Sequence, residues 1–276
     1  MSRIGLALGG GGVRGLAHIA VLELLDELGL RPAVIAGTSM GALVGALYAS
    51  GRSGRDIREI THRHFISRAD SIRDVLDKKS ALLSWFNAFL PATARGGLFR
   101  NDRFLEHVFG GVLVERFEDL AIPLVVVAAD FWSGEEVAMS SGELLPALRA
   151  SSAVPGVYAP VEREGRILVD GGLVNQIPYD HLGPDCDLTI AVDTGQERVP
   201  DEKHDTPNVL QAVVGALDIM QDSALEQRLR RARPDILVRM RIRDVDLLEY
   251  AKAGEVMEQT APAIAELRRR LAGVAP

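Results

Sequence analysis

The run Ala33-Val34-Ile35-Ala36-Gly37-Thr38-Ser39-Met40-Gly41-Ala42-Leu43-Val44-Gly45-Ala46-Leu47 constrains the fold more than any other stretch of this chain. It reads as a short buried strand, a tight turn and a helix, with no residues left over for a linker. Ser39 falls on the turn, in a Gly-x-Ser-x-Gly frame. So sharp a turn holds its serine in a strained conformation and lifts the hydroxyl off the sheet. Glycines two residues before and after remove the Cβ atoms that would collide where strand and helix cross. The helix starts directly behind the serine, so its free N–H groups and the positive end of its dipole face whatever reacts there. The five residues alone fit a plain Gly/Ser turn equally well. The apolar run before them and the helical run after them are what a nucleophile requires.

A similar unit precedes it. Ile4–Leu8 is predicted as the first strand, followed by Gly9-Gly10-Gly11-Gly12-Val13-Arg14-Gly15. Leu16–Leu28 then carries Leu16, Ile19, Ala20, Leu24, Leu25 and Leu28 at helical spacing, and Gly29 ends the helix. Gly10-x-Gly12-x-x-Gly15 admits two readings. A dinucleotide fingerprint wants a carboxylate about 20 residues on, at the end of the second strand; here that strand ends in Gly37-Thr38-Ser39. An oxyanion hole needs unshielded backbone N–H groups that a substrate oxygen can approach closely, which consecutive glycines provide. The two strands are expected to be parallel neighbours, bringing both loops to one carboxyl edge. Arg14 reads as ordering the loop or lining the substrate's edge. His18, a turn into the helix, is assigned no role beyond packing or capping.

Composition narrows the function classes. With 276 residues, 47% of them apolar, the chain can bury a sizeable core in one large α/β domain or two small ones. A net charge of −7 argues against a general nucleic-acid binder. The single cysteine, Cys186, excludes an internal disulfide framework and a cysteine metal cluster. The apolar part of the first residues is too short for a signal peptide, and no window has the length of a membrane span. The expectation is a cytoplasmic protein. Between residues 62 and 103 the balance reverses, with eight Lys and Arg against four Asp. Ala81–Pro91, preceded by Lys78-Lys79, is an apolar stretch. It reads as a cover for the site, as a peripheral contact of 81–90 with the inner face of the membrane, or as a helix packed on the sheet.

Further along, helices are predicted over 52–66 and Asn101–Phe109. A strand spans Ile122–Phe131 with Glu135–Met139 as hairpin partner, and a helix covers Glu143–Ser152. Arg166–Val169 is a strand ending at Asp170-Gly171-Gly172, and Leu188–Val192 another, ending at Asp193-Thr194-Gly195. An exposed loop over 196–205 leads to a helix starting at Thr206-Pro207 and running to about Arg231. A last strand, Asp235–Met240, precedes a helix over Gly254–Ala272 that Pro262 kinks or splits. Strands alternating with helices give an α/β fold with a mostly parallel sheet.

A serine nucleophile needs a base. Asp130, Asp170 and Asp193 each end a predicted strand. Asp170 is favoured, because Gly171 and Gly172 let the backbone turn sharply and a neighbour pack against the carboxylate; Asp193 is second. The histidines after Asp170, His181 and His204, have no convincing frame for a Ser–Asp–His order. A Ser39–Asp170 pair is the simpler account. An ordinary aspartate, titrating near ~3.9, is a weak base, and partial burial would raise it.

Taken together, Gly10-Gly11-Gly12-Val13-Arg14-Gly15, Gly37-Thr38-Ser39-Met40-Gly41 and Asp170-Gly171-Gly172 resemble, in order and spacing, the patatin-like phospholipase family in its small bacterial form. Ala150-Ser151-Ser152-Ala153-Val154-Pro155-Gly156 looks like that family's further motif. The resemblance spans roughly Ile4 to Val192. It implies one patatin-like domain over 1–276, a three-layer α/β/α fold completed by 193–276. It also implies lipid acyl hydrolysis by a Ser39–Asp170 dyad, without metal or cofactor. Gly10, Gly11, Gly12 and Arg14 would form the oxyanion hole, with the donors around Gly11 and Gly12, and a lipid or other ester would be the substrate. The rival class is a non-catalytic lipid- or protein-binding regulator that keeps the pocket. Oligomeric state is not readable from the sequence.

Overall fold

The computed structural model describes residues 2–66, 97–99, 105, 109, 111–197, 206–207 and 209–274. The expected cover or membrane contact at 81–90 lies outside the described residues, as do most of the predicted 101–109 helix and the loop over 198–205.

Ten strands are described: β1 (Ile4–Leu8), β2 (Val34–Thr38), β3 (Gly97–Phe99), β4 (Leu124–Asp130), β5 (Glu136–Met139), β6 (Gly156–Tyr158), β7 (Val161–Arg163), β8 (Arg166–Asp170), β9 (Leu188–Asp193) and β10 (Ile236–Arg239). Five of them, in the order β10-β9-β1-β2-β4, are parallel, and β1 and β2 are neighbours as the sequence led us to expect. β3 and β6 form a separate parallel pair. Helices cover both faces of the main sheet, which is why β1 is apolar throughout rather than alternating. The fold is the expected α/β one, with a mixed, mostly parallel central sheet between helical layers.

The two faces differ in side-chain size. Leu6, Leu8, Ile35, Val126, Ile190 and Val192 point into a core shared with α1 (His18–Glu27), α2 (Met40–Ala49) and α3 (Gly54–Thr61). Ala7, Ala36 and Ala191 line the opposite face. These small residues leave room for Leu225 and Leu229 of the long α5 (Val209–Arg231), which follows α4 (Leu144–Ser151) in the chain. Pro262 does split the last helical stretch, into α6 (Ala253–Glu258) and α7 (Ala261–Leu271). One boundary moved. The first helix begins as a 3-10 turn over Gly12–Ala17 and becomes α-helical only at His18, because the glycine loop folds back with Arg14 N–H on Gly11 O.

The pairing of β4 positions the site. At Val126 and Val127, β4 pairs with β2 and also with antiparallel β5, so these two lie on opposite edges. At Ala128 and Ala129 it pairs with β5 and also with antiparallel β8. β2 and β8 therefore share one edge of β4 and run toward each other, meeting between Thr38, opposite Val127, and Asp170, opposite Ala128.

Candidate functional site

Where these strand ends meet, Ser39 occupies the turn into α2 with φ 52 and ψ −122, a conformation costly for a residue with a Cβ. The surrounding backbone enforces it. A Cβ on Gly41 would lie 2.2 Å from Leu8 O, and one on Gly37 2.6 Å from Ala42 Cα. The turn is tied down from two sides. Ser39 N–H donates to Ser151 Oγ at 2.9 Å, and Ser151 Oγ donates to Val127 O at 2.6 Å. Thr38 Oγ1 donates to Asn175 O at 2.8 Å.

Ser39 Oγ donates to Asp170 Oδ2 at 2.7 Å, and Asp170 Oδ1 accepts from Gly172 N–H at 2.8 Å. Gly171 lets β8 end flush against β4, since a Cβ there would lie 2.2 Å from Val127 O. Burial pushes the Asp170 carboxyl up to about 6, against the opposing pull of the Gly172 N–H and the Ser39 hydroxyl. The other strand-end aspartates go elsewhere. Asp130 accepts from Trp132 N–H in an exposed turn. Asp193 accepts from Gly195 N–H and faces Arg239 at 3.6 Å. His181 pairs with Glu136, next to an Arg228–Asp180 ion pair.

The glycine loop is held at almost every polar atom. Gly9 N–H extends the ladder to Val192 O, and Gly9 O faces His18 Nε2 at 2.7 Å. Burial drives the His18 pKa down to about 4, so the ring is neutral and donates from Nε2. Sequence reading missed this role. Gly10 N–H donates to Gln176 O, while Gly10 O accepts from Thr194 Oγ1 at 2.9 Å and Gln176 Nε2 at 3.1 Å. Arg14 N–H donates to Gly11 O, and Val13 N–H to Leu247 O. Of the four residues expected to supply the oxyanion hole, Gly10 and Arg14 have their N–H groups occupied. Among the described residues, Gly11 and Gly12 N–H have no protein acceptor. The Arg14 side chain does not line the substrate's edge either; it is buried and ion-paired with Asp218 of α5 at 2.8 Å. Gly15 makes room for Met40, which a Cβ would meet at 2.6 Å.

Ser39 stands between two cavities of about 20 Å³ each, room for a single water. One is bordered by Gly11, Asp170, Gln176 and Gln221, the other by Gly12, Leu43, Tyr158 and Tyr250. Val154 and Leu247 border both. Tyr158 hydrogen-bonds Tyr250, and burial pushes it up to about 12, so it stays neutral.

A family model described as patatin-like phospholipase matches residues 6–182. An uncharacterized NTE family protein of Mycobacterium tuberculosis is 38% identical over 208 residues, 75% of this chain and 53% of that protein. Patatin-like phospholipase domain-containing protein 6 of Mus musculus is 32% identical over 199 residues, 70% of this chain and 14% of that protein. The chain thus spans about half, or less, of the length of the curated relatives it matches. Among solved structures, VipD from Legionella pneumophila aligns over 96% of this chain and 67% of its own, with a TM-score of 0.50 and 14% identity, a likeness of fold.

Proposed function

Because this chain belongs to the patatin-like phospholipase family, we propose that it hydrolyses carboxylic esters of lipids, with Ser39 as nucleophile and Asp170 as its base. The observation that carries this reading is the 2.7 Å bond from Ser39 Oγ to a buried carboxylate whose pKa is raised to about 6. Such a group is ionised at pH 7 yet basic enough to take a hydroxyl proton in the transition state. A weakly basic carboxylate thereby does what a histidine does in a triad.

Ser39 Oγ attacks the ester carbonyl carbon as its proton passes to Asp170. The carbonyl oxygen becomes an oxyanion and is met by the Gly11 and Gly12 N–H groups, each such donor worth about 10²–10³ in rate. The intermediate collapses, the carbon–oxygen bond to the alcohol breaks, and Asp170 returns the proton to the leaving oxygen. Water then attacks the acyl-enzyme, Asp170 takes its proton, and Ser39 recovers that proton as the carboxylic acid leaves. The positive end of α2 points at the same spot.

The test is hydrolysis of a p-nitrophenyl ester series, short to long chain, by wild type and Ser39→Ala, together with labelling by a fluorophosphonate. Turnover and labelling in wild type, both absent from the folded variant, are expected. A folded wild type that neither turns over nor labels would mark the chain as a binding protein that keeps the pocket.

A further inference from the structure

Four consecutive glycines can offer backbone N–H groups, but they cannot hold them in place. Without a Cβ, a glycine peptide rotates freely between orientations that differ by a flip of the amide plane. In a trans peptide the C=O and the following N–H point in opposite directions, and the described chain has no cis bond. Whatever fixes the carbonyl of residue n therefore aims the N–H of residue n+1.

The loop is built this way. Gly10 O takes two donors, Thr194 Oγ1 and Gln176 Nε2, and a carbonyl with its two lone pairs can accept both, so the plane is restrained from two side chains at once. The N–H on the other side of that plane belongs to Gly11, whose residue borders the cavity shared by Ser39 and Asp170. Neither donor comes from the loop. Thr194 follows β9 and is fully buried, and its hydroxyl lies 2.5 Å from where a Cβ on Gly11 would be. Gln176 follows the Asp170 turn, and its backbone carbonyl takes Gly10 N–H as well. The next peptide is aimed from within the loop, by Arg14 N–H on Gly11 O. Donors on a carbonyl also polarise its peptide and strengthen the N–H beyond it.

We propose that Thr194 and Gln176 are positioning residues: by holding the Gly10 carbonyl they aim the Gly11 N–H at the oxyanion that forms on Ser39 attack. This rests on the ester-hydrolase reading above. Neither side chain touches the reacting atoms in this role.

The experiment compares wild type, Thr194→Val, Gln176→Met, the double variant and Thr194→Ser on one p-nitrophenyl ester. Inhibition by an alkyl trifluoromethyl ketone, which Ser39 would convert to a stable oxyanion, is measured alongside. Either single loss leaves one donor on Gly10 O, so kcat is expected to fall only about tenfold. The double variant should fall about 100-fold or more, toward the loss of a whole oxyanion donor. KM should stay within about twofold, and the Ki of the ketone should rise in step with the fall in kcat. The pH midpoint set by Asp170 should not move, and Thr194→Ser should restore the wild-type values. A general loosening of the fold would instead shift KM and the pH midpoint, and serine would not repair it. Should Thr194→Val fail to fold, Gln176→Met and Thr194→Ser decide between the two. A folded double variant with wild-type kcat and Ki overturns the proposal while leaving the hydrolase reading standing. Absence of Ser39-dependent turnover in wild type overturns both.

Discussion

Asp170 and His18 are buried groups whose titrations run in opposite senses. The Asp170 pKa is raised by burial to about 6, so the folded state holds a proton that the unfolded chain has released. Its contribution to stability grows as pH falls from about 6 toward 4. The His18 pKa is lowered to about 4, so the unfolded chain takes up a proton that the folded state refuses, and stability is lost over much the same window. Each contribution is of order 3 kcal/mol, and they offset each other. Asp170→Asn should unmask the imbalance. At pH 7.5 the variant should melt higher than wild type, because position 170 then buries no charge, and it should lose stability more steeply between pH 6.5 and 4. Its esterase rate should fall about 10³-fold. In wild type the rate should rise through about pH 6 and level off above it. Thermal melts and a pH–rate profile check both. The pairing of Ser39 with Asp170 was legible in the sequence because glycines flank them. The side-chain hydrogen bonds of Thr194, Gln176 and His18 to glycine-loop carbonyls were not, since such a bond leaves no pattern in neighbouring residues.

Two glycines separate the demands on the elements. Gly41, in the first turn of α2, has Leu8 O where its Cβ would be, at 2.2 Å, and backbone cannot yield as a side-chain tip can. Gly41→Ala should drive α2 off β1, costing more than about 3 kcal/mol in urea unfolding and disrupting the serine turn. Among the described residues, nothing lies within 4 Å of a Cβ built on Gly215, in α5. Gly215→Ala should stabilise by about 0.5–1 kcal/mol, through helix propensity and a less flexible unfolded chain. Periodicity found most elements to within two or three residues. It did not find the 3-10 start before α1, because a turn closed by glycine backbone carries no apolar spacing. Nor did it show that β8 runs antiparallel against β4, because an apolar run marks a strand without naming its partner.

At the scale of the molecule, α5 is joined to the glycine loop by the buried Arg14–Asp218 pair. Among the described residues, Arg14 Nε and Nη1 are buried without a hydrogen-bond partner, and Asp218 is the carboxylate in direct contact with the guanidinium. Asp218→Ala should cost about 3–5 kcal/mol by denaturant unfolding, and Arg14→Met with Asp218→Leu should regain most of it, since an apolar pair leaves no stranded charge. The meeting of β2 and β8 along one edge of β4 has a different kind of consequence. Ser39 and Asp170 are 131 positions apart in the chain, yet their separation in space is set by where each strand stops on a shared ruler. Segments inserted or deleted between α3 and β4 leave that ruler untouched. The distance between the two side chains is thus fixed by the sheet, not by the number of residues that separate them in the chain.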